Sequence, residues 1–258
     1  MSSRAPRDPR HRRDRREPRG LERILSKAGL CSRTQAREWI ASGRVRVNGA
    51  VILDPDAWFD PAHDRITVDG RALEAEAGVY IALHKPRGYL CTRRDPAGRP
   101  TVYELVHDVG AWVFPVGRLD FDSSGLLLLT NDTRFSDQIT RPSSHVQKRY
   151  EVIASPRLDE TALEALRRGV TLADGPTRPA EVRHIAHRGA RSVFEIAITE
   201  GKNRQVRRMV REVGGKVETL VRTAIGPLEL GDLAAGAWRP LARAERQALE
   251  RAVRSAEG

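Results

Sequence analysis

The sequence predicts an α+β protein in two parts, on three observations. Residues 21–53 read as helix, helix, hairpin. Beyond Val79 apolar strands mix with a few helices in no regular β-α alternation. Between these stretches lies a polar segment, 69–78, with the character of a linker.

The 258 residues carry 45 Lys and Arg against 34 Asp and Glu, a net charge of +11, and 40% are hydrophobic, which is enough for a core. The longest leucine run, Leu126 to Leu129, is far below the roughly 18 apolar residues of a membrane span. Cys31 and Cys91 form no Cys-x-x-Cys pair, which argues against a zinc site or a disulfide framework. A cytoplasmic protein with no membrane partner is expected. Residues 1–20 hold eight arginines against Asp8, Asp14 and Glu17, together with three prolines and no hydrophobic period. They predict a disordered Arg-rich tail, either solubilising or an arm that gains affinity by releasing counterions from a polyanion.

From Leu21 the pattern becomes helical, with Leu21, Ile24, Leu25 and Ala28 on one side and Gly29 as the stop. Ser32 opens a second helix as N-cap, Gln35 takes the capping-box position, and Ala36, Trp39 and Ile40 form its buried stripe up to Gly43. Val45 and Val47 then alternate with Arg44 and Arg46, Asn48-Gly49 marks a tight hairpin, and Ile66 and Val68 close the module. Arg33 and Arg37 sit one turn apart, and with Lys27, Arg44 and Arg46 they make a basic patch suited to phosphate contacts; the alternative is an ordinary solvated face. The run ILSKAGLCSRTQAREWIASGRVRVNG resembles the S4 RNA-binding domain, over residues 21–68. That resemblance implies RNA binding and no chemistry.

In the larger part, VYIALHKP and Leu126 to Thr130 read as strands, and SVFEIAIT alternates with Phe194, Ile196 and Ile198 toward a core. Helices are expected over 159–168 and 203–212. On the second of these Arg204, Arg207, Arg208 and Arg211 crowd the face opposite Val206, Met209 and Val210. With Lys202 and Asn203 just before it, this helix start reads as an anion-binding corner for RNA phosphate, or as a solvated basic face.

The segment FPVGRLDFDSSGLLLLTND places Asp120 in a polar turn beside Arg118 and ahead of an apolar strand. A guanidinium at hand and a wall that excludes water are what a nucleophilic carboxylate, or one that stabilises a developing cation, requires. From the residues alone Asp120 can equally be a turn or salt-bridge residue, with Asp122 and Asp132 as rivals.

GRLDFDSSGLLLLTND, together with LHKPRGYLCTRRDPAGRPTVYEL, HVQKRYEV, ITEGKNRQVRRM and VRTAIGPLEL, resembles the S4-bearing bacterial ribosomal RNA pseudouridine synthases, over about residues 21–243. The resemblance implies an S4-type α/β module followed by a catalytic domain, residues 79–243, with a mixed, mainly antiparallel sheet; residues 244–258 are left as a helical tail. It implies that Asp120 is the catalytic aspartate, Tyr150 the active-site tyrosine, and Arg207 the basic residue that pairs with the aspartate, although Arg208 and Lys202 are also basic and near. Arg118, Lys85, Lys148, Lys202, Asn203, Arg204 and Arg208 would then touch RNA. Where relatives often have Gly after TND, this chain has Thr133-Arg134.

The implied reaction breaks C1′–N1 of a uridine and joins C5 to C1′, with no net redox change, so no cofactor is expected. Asp120 would attack C1′, attack C6, or take a proton from C2′, and the target base must leave its stack. The expected partner is ribosomal RNA, 23S in preference to 16S, free or in a pre-ribosomal particle, with the protein a monomer. The rival readings are a non-catalytic ribosome-assembly factor and a synthase acting on tRNA.

Overall fold

Short apolar periods, each ended by a turn glycine, set the elements of the front of the chain. A computed structural model describes residues 19–61, 63–73 and 78–255, and the chain divides into two compact units, 1–77 and 78–258.

The first unit runs β1 (Arg19–Gly20), α1 (Leu21–Lys27), α2 (Arg33–Ala41), β2 (Val45–Val47), β3 (Ala50–Val51), β4 (Trp58–Phe59), β5 (Ile66–Val68) and β6 (Arg71–Ala72). The Gln35 N–H donates to Ser32 Oγ at 3.2 Å while the Ser32 N–H donates to Gln35 Oε1 at 3.2 Å, the reciprocal cap expected at this helix start. Leu21, Leu25, Ala36, Ile40 and Val45 are fully buried and join the two helices to the sheet β3-β2-β5-β6.

Two boundaries differ from the sequence reading. Arg19–Gly20, assigned to the tail, pairs antiparallel with β4. Arg71–Ala72, assigned to the linker, extends the sheet beside β5, and Leu73 packs on the module's core. Strands of two residues have no period to read. The rest of the expected tail, 1–18, and 74–77 of the expected linker lie outside the described residues.

The second unit runs β7 (Tyr80–Lys85), β8 (Phe114–Pro115), β9 (Ser124–Thr130), α3 (Thr133–Thr140), β10 (Lys148–Ser155), α4 (Glu160–Arg168), β11 (Thr171–Leu172), β12 (Gly175–Pro176), β13 (Glu181–Arg188), β14 (Arg191–Ile198), α5 (Gln205–Glu212), β15 (Lys216–Ile225), β16 (Leu228–Glu229), β17 (Trp238–Pro240) and α6 (Arg243–Ser255). Its nine-stranded sheet has the order β13-β14-β10-β15-β9-β7-β17, with β16 on β15 and β8 on β9. Every pairing in it is antiparallel except β15 with β9.

The leucine run of β9 is continuous because both faces of that strand are covered. Leu127 and Leu129 pack with Ile81, Leu83 and Val152. Leu126 and Leu128 pack with Phe135, Ile139, Leu249 and Val253. The last two residues belong to α6, so the segment assigned as a helical tail is instead a wall of the second core. Their spacing of four was the signal for a buried helix face. Thr133-Arg134 opens α3, capped by Asp132, whose carboxylate accepts from the N–H groups of Arg134 and Phe135.

The parallel junction pairs Arg222 with Gly125. Gly125 has φ of 107°, and a Cβ there would lie 2.3 Å from the Arg222 carbonyl oxygen and 2.5 Å from its nitrogen. Only glycine lets the two backbones meet, and this contact holds the Asp120 turn beside β15. Gly125→Ala should cost about 3 kcal/mol or more of stability, read by guanidinium unfolding, because strain and a backbone clash act together; a loss under about 1 kcal/mol would show that the junction yields.

Candidate active site

A cleft of about 540 Å³ opens on the second unit over β10, β15 and the loops that precede β9 and α5. Arg118, Leu119, Asp120, Lys148, Tyr150, Asn203, Arg204 and Arg222 are in its lining. Sheet register brings them together. Tyr150 sits opposite Arg222 on the neighbouring strand, and Arg222 opposite Gly125 places the turn 120–123 against the same point.

The three candidate carboxylates separate by what holds them. Asp132 caps α3 and accepts the Tyr80 hydroxyl at 2.8 Å. Asp122 is held by both Arg204 terminal nitrogens at 2.9 Å each, which keeps its carboxyl below the usual range. Asp120 faces the cleft, and its ion pair is a loose one, with Arg204 Nη1 at 3.6 Å from Oδ2.

Arg207 does not pair with Asp120. Its Nε lies 3.4 Å from Asp122 Oδ2, and its Nη2 donates to the Asp122 carbonyl at 2.8 Å and to Ser123 Oγ at 3.2 Å. It therefore braces the turn, and burial pulls it below the usual arginine range. The cation paired with the Asp120 carboxylate is Arg204, three residues earlier.

Lys85, expected to touch RNA, has no exposed surface. Its ammonium donates to the carbonyls of Pro86 at 3.0 Å, Asp120 at 3.0 Å and Ser123 at 2.7 Å, so it ties the aspartate turn from beneath. Burial lowers its pKa from the ordinary lysine value. Lys202 likewise donates to the carbonyls of Asp174, Gly175 and Pro176, at 3.3, 2.9 and 2.8 Å. Arg208 is bound through both terminal nitrogens to Asp174, at 2.9 and 3.0 Å. The bare basic face read on α5 is thus compensated by Asp122 and Asp174, acids remote in sequence. Arg118 and Asn203 are exposed at the cleft.

Tyr150 is 9% exposed and presents its surface to the cleft. Lys148, two residues earlier on β10, also faces it, and burial followed by the charge of Arg222 pulls its pKa down to about 8. Arg222 was not singled out from the sequence. The signal was available: Leu220, Arg222 and Ala224 share one buried face of β15, an arginine in a core register.

In the first unit Arg37 pairs with Glu22 at 2.9 Å and with Asp56 at 2.8 Å, and Arg44 with Asp69 while it covers the Trp39 ring at 4.8 Å. Arg46 donates to the Gly49 carbonyl at 3.1 Å. Lys27 and Arg33 instead line a second cleft, of about 480 Å³, with Arg19, Arg23 and the 70% exposed Trp58. Cations around an exposed aromatic suit both phosphate contact and base stacking. Arg19, Arg23 and Trp58 were missed because they lie on a two-residue strand pair and a helix face without a sequence period.

A carboxylate-bearing cleft on a mixed, mainly antiparallel sheet, carried in one chain with a small basic module, suits an enzyme that works on RNA. The family model described as RNA pseudouridylate synthase matches residues 79–212, and that of the S4 domain matches residues 19–57. An uncharacterized RNA pseudouridine synthase of Aquifex aeolicus is 38% identical over 234 residues, covering 90% of this chain and 94% of that protein. Ribosomal large subunit pseudouridine synthase B of Bacillus subtilis is 36% identical, covering 86% and 91%. A solved pseudouridylate synthase structure superposes with a TM-score of 0.65 at 31% identity, covering 89% of this chain and 99% of that one. The chain belongs to the RNA pseudouridylate synthase family and carries an S4 domain. No helix among the described residues is long and apolar enough to cross a membrane.

Proposed function

We propose that the protein isomerises one or a few uridines of large-subunit ribosomal RNA to pseudouridine, in the cytoplasm, with Asp120 as the reacting carboxylate. The observation that carries this reading is the Asp120 carboxylate itself. It faces the cleft on a braced turn, while its rivals Asp122 and Asp132 are bound elsewhere. The large-subunit choice is supported by the likeness to the ribosomal large subunit pseudouridine synthase B of Bacillus subtilis.

The target nucleotide leaves its stack and its base enters the cleft against Tyr150. Asp120 then meets the charge that develops at the sugar or at C6 as C1′–N1 breaks, a task comparable to that of glycosidase carboxylates. The base turns, C5 joins C1′, the proton at C5 is released and N1 is reprotonated. Arg204 and Arg207 fix the turn through Asp122 and Ser123, and Arg118 and Asn203 meet the backbone at the mouth. The basic cleft of the S4 domain anchors a second part of the RNA.

The test is tritium release from separate large- and small-subunit rRNA transcripts labelled at uracil C5. Release from the large-subunit transcript is expected. Release from the small-subunit transcript alone would overturn the subunit choice, and tight binding with no release from either would favour an assembly factor.

A further inference from the structure

In the second unit the lysines withdrawn wholly or partly from solvent have their hydrogen bonds met by carbonyls, with one exception. Lys85 and Lys202 each donate to three carbonyl oxygens. Lys148 lines the cleft with no carbonyl or carboxylate of the described residues in hydrogen-bond reach of its ammonium, and its strand partners are Ile198 and Ile225. Next to it Arg222, 4% exposed, donates from Nε to the Leu126 carbonyl at 2.7 Å and from Nη1 to the Arg118 carbonyl at 3.5 Å, while its Nη2 has no hydrogen-bond partner among the described residues. Neither cation makes an ion pair with a carboxylate among the described residues. Two desolvated positive charges against an apolar wall are costly unless a bound group supplies negative charge.

We propose that Lys148 is a further catalytic residue, whose ammonium hydrogen-bonds a carbonyl oxygen of the flipped uracil and, backed by the charge of Arg222, stabilises the negative charge the base acquires during isomerisation. The proposal rests on the pseudouridine synthase reading. When C1′–N1 breaks, its electron pair stays with the uracil and spreads to O2 and O4; addition at C6 likewise drives charge to O4. Every route open to Asp120 therefore needs a donor at a uracil oxygen. Lys148 keeps its proton throughout, because the pair returns to carbon as C5 bonds to C1′ and the C5 proton leaves to solvent.

Depth selects the base over a phosphate as the ligand. The exposed Arg118 and Asn203 stand at the mouth where the RNA backbone must cross. Lys148 stands beside the nearly buried Tyr150, where only an extruded base reaches.

The experiment compares wild type, Lys148→Met and Lys148→Arg in single-turnover tritium release from the rRNA transcript that the wild type modifies, with RNA affinity measured against salt. Removal of a donor aimed at developing charge should slow the saturated rate by about 10²-fold with affinity changed less than about threefold, and arginine should restore part of it. The wild-type rate should fall as pH rises past about 8, where the ammonium is lost, and the Lys148→Arg rate should persist to higher pH. The charged or titratable groups that line the cleft with Lys148 are Tyr150 on its own strand, Arg222 on β15, Arg118 and Asp120 before β9, Arg141 after α3, Glu200 after β14, and Lys202 and Arg204 before α5. All eight are unchanged in the variants, so a limb that moves with residue 148 belongs to it. An unchanged saturated rate with weaker binding and a shallower salt slope would make Lys148 a phosphate contact and overturn the proposal. Equal loss in Met and Arg variants with an unmoved pH profile would reduce it to packing. A wild type that releases no tritium would instead bring down the synthase reading itself.

Discussion

Asp120→Asn should bind rRNA with wild-type affinity and turn over at least about 10⁴-fold more slowly, the loss that follows removal of a central group from a catalytic set. Asn keeps the size of the side chain and can still receive a hydrogen bond from Arg204, so the turn that Lys85, Arg204 and Arg207 hold is preserved. Only the anionic oxygen is lost, and with it any attack on carbon or proton abstraction. Asp122→Asn is the informative comparison, because it loosens the two-point clamp of Arg204 and leaves the cleft carboxylate intact. It should lower the rate by far less. If Asp120→Asn retained more than about a hundredth of the wild-type rate while Asp122→Asn lost nearly all of it, the reacting carboxylate would be Asp122.

The parts of this protein that were legible in the sequence are those with a local signature. The capping box at Ser32 and Gln35, the Asn48-Gly49 hairpin and the leucines of β9 each declare themselves within a few residues. Asp120 was one of three candidate carboxylates in the residues themselves, and only the family resemblance set it apart. Roles decided by long-range pairing were not legible. Arg207 looked like the partner of Asp120, yet Arg204 is the closer, because α5 starts at Gln205 with Arg204 turned into a left-handed conformation as its cap, φ 48°. Lys85 looked like an RNA contact because a lysine before Pro86 gives no hint that β7 is an inner strand, or that Lys85 pairs with Gly125 and reaches the carbonyls of the aspartate turn. Arg208 looked free because its acid, Asp174, comes from the hairpin β11–β12. α6 was read as a tail because the resemblance ended near 243, while the pair Leu249 and Val253 was already spaced for a buried face.

Lys85→Met should reduce both stability and turnover, and the relation between the two losses is informative. Methionine matches the length of lysine and removes the costly desolvated charge, but it leaves the carbonyls of Pro86, Asp120 and Ser123 without their donor. At about 1–3 kcal/mol for an orphaned buried polar group, less the relief of desolvation, the net loss should be roughly 2–4 kcal/mol in guanidinium unfolding. The Asp120 and Ser123 carbonyls lie at the two ends of the turn that aims the Asp120 carboxylate. A displacement of about 1 Å there is enough to slow the reaction by about 10²-fold. The loss should appear in the saturated single-turnover rate with RNA affinity little changed, since Lys85 offers no surface to RNA. Lost stability with an undiminished rate would mean that Arg204 and Arg207 orient the turn unaided. A proportionate loss in both would show that one buried ammonium, invisible from the RNA side, sets the position of the reacting group.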